Sequence, residues 1–131
     1  MTKTSLALTH HQAEILLDRP EDCIIQCMGE AVDGGELPPM DEVKIAEVVL
    51  EVMHKVIHWT NPIDVPALSA AERYALEDML AGSTWCGQIA HLSDSPLSSD
   101  RRKLRNAQKA LFAIAEKFKE VGLNGSFVPD F

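Results

Sequence analysis

The sequence predicts an all-α protein, a single compact bundle of five or six helices. Three observations lead to that class. Apolar residues recur at three-and-four spacing along much of the chain. Two of the periodic stretches open on a capping box, Thr9 to Gln12 and Ser69 to Glu72. The segments DGGELPPMD, TNPIDVPAL and SDSPLSSD are turn chemistry.

With 131 residues the chain suits one hydrophobic core, hence one helical domain over residues 1–131 in which 1–8 and 123–131 are candidate loose termini. Its 46% apolar and 24% charged residues belong to a folding chain, not a disordered one. No run approaches the ~18 apolar residues of a membrane span. The opening MTKTSLALTHHQ has too short an apolar segment for a secretory signal, so a cytoplasmic protein with no membrane partner is expected.

The first helix starts at the Thr9 box, presents Ile15, Leu16 and Leu17, and ends before Pro20. Pro20 suits the first position of a second helix with Glu21 and Asp22 on its positive end. There Ile24, Cys27, Met28, Ala31 and Val32 share one face, and Gly34 is the stop. Asp41 caps a third helix running to about Trp59. Its apolar residues (Val48, Val49, Leu50, Val52, Met53, Val56, Ile57, Trp59) fill more than half the circumference, so this helix is expected to be central. Its β-branched content would also suit a strand, but length and the Asp41-Glu42 start decide for helix.

A fourth helix follows the Ser69 box with Leu76, Met79 and Leu80 on its face. Continued without interruption, it would carry Trp85, Ile89 and Leu92 to the opposite side. A break at Gly82-Ser83-Thr84 is therefore expected, with Ser83 or Thr84 capping a fifth helix and Trp85 packed in the core. The last helix spans about Asp100 to Val121, with Gly122 just beyond its end. Leu104, Ala107, Leu111, Ile114, Phe118 and Val121 form its heptad-like seam, too short for an independent coiled coil and better suited to a bundle. Leu123, Phe127, Val128 and Phe131 either dock on that bundle or stay loose.

Charge is unevenly laid out. Residues 1–100 carry five Lys/Arg against seventeen Asp/Glu, and residues 101–131 carry seven against three, within a net charge of -8. The cations Arg101, Arg102, Lys103 and Arg105 crowd a helix N-terminus, where the macrodipole disfavours them. Asp100 and acidic neighbours from the first hundred residues are one source of compensation, at ~0–1 kcal/mol per surface pair. The sharper alternative is a binding patch. Phe112 projects away from the seam, among Arg101, Arg105 and Lys109, and an aromatic ringed by cations has the composition of a contact surface. The acidic run Asp18, Glu21, Asp22, Glu30, Asp33 and Glu36 offers a second surface, for a basic partner.

Motifs for chemistry are sparse. In the third helix Glu47, Glu51, His54 and His58 lie on one line, giving an E-x-x-H and an H-x-x-x-H clip, but no second E-x-x-H occurs to complete a two-metal bundle site. Cys23, Cys27 and Cys86 form no CxxC pair and are expected as buried or half-buried free thiols. No nucleophile elbow, phosphate-binding loop or dinucleotide motif is present.

The expected function is non-catalytic and cofactor-free: an inhibitor, adaptor or assembly accessory that binds another protein, such as a basic nucleic-acid-handling one, as monomer or homodimer. Arg101, Arg102, Arg105, Lys109 and Phe112 are the candidate contacts of one patch; Asp18, Glu21, Asp22 and Glu30 are those of the other. Two alternatives stand beside it: metal binding through Glu51, His54 and His58, and nucleic-acid binding through the basic last helix. The second is disfavoured by the acidic remainder of the chain.

Overall fold

In a computed structural model, residues 4–92 and 95–127 are described. The Thr9 hydroxyl accepts from the Gln12 amide at 3.1 Å while Gln12 Oε1 accepts from Thr9 N at 3.0 Å, and this closed box starts α1 (His10–Leu17). Pro20 is the N-cap of α2 (Glu21–Asp33), which stops at Gly34. Asp41 accepts from Lys44 N at 2.8 Å and starts α3 (Glu42–Ile57). The Ser69/Glu72 box likewise opens α4 (Ala70–Ala81). Both capping boxes read from the sequence are therefore formed.

The break after α4 is also present, since that helix ends at Ala81 with Gly82 as its cap. The next helix, α5 (Gln88–Leu92), begins later than expected, and neither Ser83 nor Thr84 starts it. Buried Ser83 instead turns its hydroxyl back onto the Leu80 carbonyl, 2.8 Å away. Trp85 lies in the intervening turn and is 61% exposed, so the expectation that it packs in the core fails. Helical phase placed Trp85 with Ile89, but the extra non-helical residues break that phase.

The longest helix, α6 (Ser98–Glu120), ends in a Schellman motif. Leu123 N donates to the Phe118 carbonyl at 2.9 Å and Gly122 N to that of Lys119 at 3.2 Å, with Gly122 at φ +83°, where a side chain would be strained. Residues of the seam are buried as expected, Leu111, Ile114 and Phe118 completely, apart from half-buried Leu104. Full burial of a side chain such as Phe118 contributes about 1.5–3 kcal/mol.

These helices make an all-α bundle. One layer joins α2, α3 and α4, and α6 closes over α1, α4 and α5, with α1 also touching α3. A short antiparallel pair, β1 (Ser5–Leu6) with β2 (Ile63–Asp64), ties the start of the chain to the loop after α3 in the register Ser5 to Asp64 and Leu6 to Ile63. Lys117 Nζ binds the Ala7 carbonyl at 2.9 Å and Gln12 Oε1 at 2.7 Å, clamping that start to α6. Residues 4–8 are thus held in place, and so is Leu123 in the buried core. Val128 and Phe131 lie outside the described residues.

The breadth of the α3 apolar arc does not translate into full burial. Ile45, Val48, Val49, Val52 and Val56 face α1, α2 and α4, while Leu50 (51% exposed) and Ile57 (54%) turn outward with Val43 (68%). The helix is central on one side only.

The caps make a direct prediction. Ser69→Ala removes the acceptor for Glu72 N and should cost about 1 kcal/mol, read as a lower urea midpoint at unchanged m-value; Ser69→Asp should recover most of it.

Candidate functional site

The tight corner between α1 and α2 sends two adjacent side chains across the molecule. Pro20 cannot continue α1, so Asp18 and Arg19 sit in the turn with helices on either side. Asp18 reaches α5, where its two carboxylate oxygens accept from Gln88 N at 3.0 Å and Ile89 N at 3.1 Å. A residue seventy positions away in sequence thus satisfies amide donors at the start of α5.

Arg19 turns inward and is only 2% exposed. Its Nε and Nη2 donate to Asp78 Oδ2 at 3.4 and 3.2 Å. Nη1 donates to Cys86 Sγ at 2.6 Å, and Nη2 approaches Cys27 Sγ at 3.4 Å. Cys86 Sγ lies 2.9 Å from Cys23 Sγ. Gly82 completes the enclosure, for a β-carbon there would run into the guanidinium. Tyr74 packs nearby, its hydroxyl donating to the Cys27 carbonyl at 3.3 Å. One cation therefore gathers the Asp78 carboxylate of α4, the Cys27 thiol of α2 and the Cys86 thiol of the α4–α5 turn, and Cys86 in turn meets Cys23 of α2.

Burial and charge compete here. Burial works against the Arg19 charge, yet Asp78 and the sulfurs of Cys86 and Cys27 outweigh it and hold the guanidinium above its ordinary value. Burial pushes the Asp78 carboxyl up, with Arg19 pulling the other way. Burial also raises the Cys27 and Cys86 thiols; Asp78 adds to the first and Cys23 to the second, and Arg19 opposes both. The Tyr74 phenol rises to about 12, first through burial and then through Asp78.

The sequence-derived candidates fall elsewhere. Arg101, Arg102, Lys103 and Arg105 are exposed, and among the described residues none has a carboxylate within ion-pair distance. Asp100, the acidic residue in the first turn of the same helix, accepts from Ser95 Oγ at 2.7 Å. Arg101 and Arg105 line a shallow depression of about 450 Å³ with Ser98, Leu104 and Gln108. Phe112 is 51% exposed and meets Phe127 edge-on, ring centroids 5.2 Å apart, so it is half docked by the C-terminal segment. Lys109 is exposed beside it on α6. Of the acidic candidates, Asp22 and Glu30 are exposed and Glu21 is partly so, whereas Asp18 is committed to α5.

The metal reading gains no support from the described residues. Glu51, His54 and His58 are exposed on α3, and among the described residues no group of three or more His, Cys, Asp or Glu side chains is placed to hold a metal ion. The two imidazoles meet edge-on, centroids 4.3 Å apart. At the thiol cluster the guanidinium occupies the place a cation would take.

Sequence reasoning missed Arg19 and Asp78 altogether and left the three thiols as separate residues. Arg19 was one of only five cations in the first hundred residues, set between Asp18 and Pro20, but no local pattern marks it as buried. The second feature missed is the outer line of α3. Val43, Leu50 and Ile57 recur every seven residues, and Ala46 and Met53 fall between them at the alternate heptad positions, all within about 80° of arc.

No family model matches this sequence, and comparison with the curated proteins and with the solved structures gives no match.

Two predictions test the site. The chain has one tyrosine, so absorbance titration near 295 nm reads Tyr74 alone and should show ionisation at about 12. Because that pKa lies above the unfolded value of about 10, the stability it contributes is complete below pH 10 and is lost as pH rises towards 12. Arg19→Met strands a buried carboxylate and should cost about 3–5 kcal/mol in urea unfolding. Combining it with Asp78→Leu should return a large part of that loss.

Proposed function

We propose that this chain is a non-catalytic protein-binding module, an inhibitor, adaptor or assembly accessory, whose principal contact surface is the outer line of α3. The observation that carries this reading is the exposure of Val43, Leu50 and Ile57, at 68, 51 and 54%, on successive heptads of one helix. Large apolar side chains left uncovered singly need no explanation, whereas an aligned row is the kind of ridge that a second helix covers.

The flanks of the ridge specify its partner. Glu42 and Glu47 border it over the N-terminal half and His54 over the C-terminal half. A partner helix with a basic end placed against those glutamates has complementary flanks.

A second reading is supported by a different observation. The cations at the start of α6, without an ion pair among the described residues, and the half-exposed Phe112 further along the same helix suit a polyanion or an acidic protein surface. Salt separates the two, because contacts to phosphates weaken steeply with ionic strength and burial of an apolar ridge does not.

Affinity capture from native lysate, with light scattering on the purified chain, tests the assignment. Leu50→Glu with Ile57→Glu should abolish a stoichiometric partner, or reduce a doubled molar mass to the 14.4 kDa of one chain, while circular dichroism is unchanged. Arg101→Glu with Arg105→Glu should leave that contact within about twofold. The reverse pattern assigns binding to α6 and overturns the α3 reading.

A further inference from the structure

The Arg19 corner has a reactivity that protein binding does not use. Cys86 and Cys23 approach sulfur to sulfur at 2.9 Å, about 0.9 Å beyond a covalent disulfide. Both are half-buried, neither sealed in the core nor spread on the surface. The third thiol, Cys27, sits on the far side of the guanidinium. Within this group one pair is set to bond, and the bond would join α2 to the α4–α5 turn across sixty-three positions of chain.

We infer that Cys86 and Cys23 form a redox-active dithiol, an oxidative modification site that a small hydroperoxide converts into an intramolecular disulfide.

The chemistry balances with that oxidant alone. The Cys86 thiolate attacks one oxygen of the hydroperoxide and the O–O bond breaks. The departing alkoxide, or hydroxide from hydrogen peroxide, takes a proton and leaves as alcohol or water, and Cys86 becomes a sulfenic acid. The Cys23 sulfur, having given its proton to solvent, then attacks the Cys86 sulfur. The S–OH bond breaks, water leaves, and the disulfide forms. Two thiols have lost two electrons and the peroxide has gained them. Arg19 Nη1, 2.6 Å from Cys86 Sγ, holds the attacking sulfur in place and favours its thiolate. Half-burial favours a small oxidant over a bulky disulfide.

The charged and titratable groups facing the pair are Arg19 from the α1–α2 corner, Asp78 from α4 and Cys27 from α2. Burial keeps the Cys86 thiol mostly protonated at neutral pH. The rate should therefore climb about tenfold per pH unit from pH 7 to pH 8.5, following the thiolate fraction.

The experiment treats the reduced full chain with a few equivalents of hydrogen peroxide, quenches with a thiol alkylator, and reads intact mass and digest peptides. The expected product is monomeric and 2 Da lighter, with one alkylated cysteine, Cys27, and a Cys23–Cys86 cross-linked peptide. Cys27→Ser should give the same 2 Da loss, whereas Cys23→Ser and Cys86→Ser should each abolish it. Oxidised glutathione at equal concentration serves as the second arm and should react at least tenfold more slowly. A cross-link through Cys27, a product joining two chains, or oxygen addition without a cross-link in the wild type would overturn the dithiol. Faster reaction with glutathione disulfide would overturn the hydroperoxide assignment. Because the wild-type chain gives the primary readout, a variant that fails to fold does not rescue the inference.

Discussion

A guanidinium buried to 2% exposure has to be answered by its surroundings, and the arrangement of four helices follows from how this one is answered. Arg19 has five N–H donors in a fixed plane and loses its charge under no ordinary condition. Asp78 supplies the counter-charge from α4, and the Cys27 and Cys86 sulfurs accept from the remaining edges. The α1–α2 corner, the later half of α4 and the turn into α5 are consequently fixed relative to one another. Asp18, next in the chain, extends the same hold to the first amides of α5. A helix of five residues has little stability of its own, and α5 persists because neighbouring elements satisfy and cover it.

The surface follows a different logic. Burial of Ile45, Val48, Val49, Val52 and Val56 is enough to seat α3 on its neighbours, so the outward row of Val43, Leu50 and Ile57 contributes little to holding the bundle. An apolar row that the fold does not need adds a risk of association, and that is what supports the binding role proposed for it. The start of α6 is another concession. Leu97 gives no side-chain cap, and four exposed cations follow where the dipole is positive, with Asp100 in the first turn to relieve them. A helix of twenty-three residues tolerates that end because its seam buries Leu111, Ile114 and Phe118 further along.

The local signals were legible in the sequence because they are chemical and short in range. Both capping boxes, the Asp41 cap, the break at Gly82, the α6 seam and the stop at Gly122 each involve residues within a few positions of one another. What failed were statements about coverage. Periodicity shows the width of the α3 arc, but which part of it receives a neighbour depends on where α1, α2 and α4 come to rest. Trp85 was placed by extrapolating helical phase through a turn of unknown length. The Arg19 site was illegible for a stronger reason: its partners stand eight, fifty-nine and sixty-seven positions away, and no residue in that set is unusual alone.

The thiol corner and the helix that bears the apolar ridge meet in α2. Its Cys23 and Cys27 face the Arg19 cluster, and the same helix packs against α3. Closing the Cys23–Cys86 bond would turn the sulfur that now accepts from Arg19 Nη1 into a poorer acceptor, leaving a donor of a buried cation incompletely satisfied. Relief can come from rotation of Arg19 towards Cys27 or from displacement of the corner. Either response acts first on α2, the helix that supports the inner side of α3. If the proposed disulfide forms, its strain would reach α3 through α2.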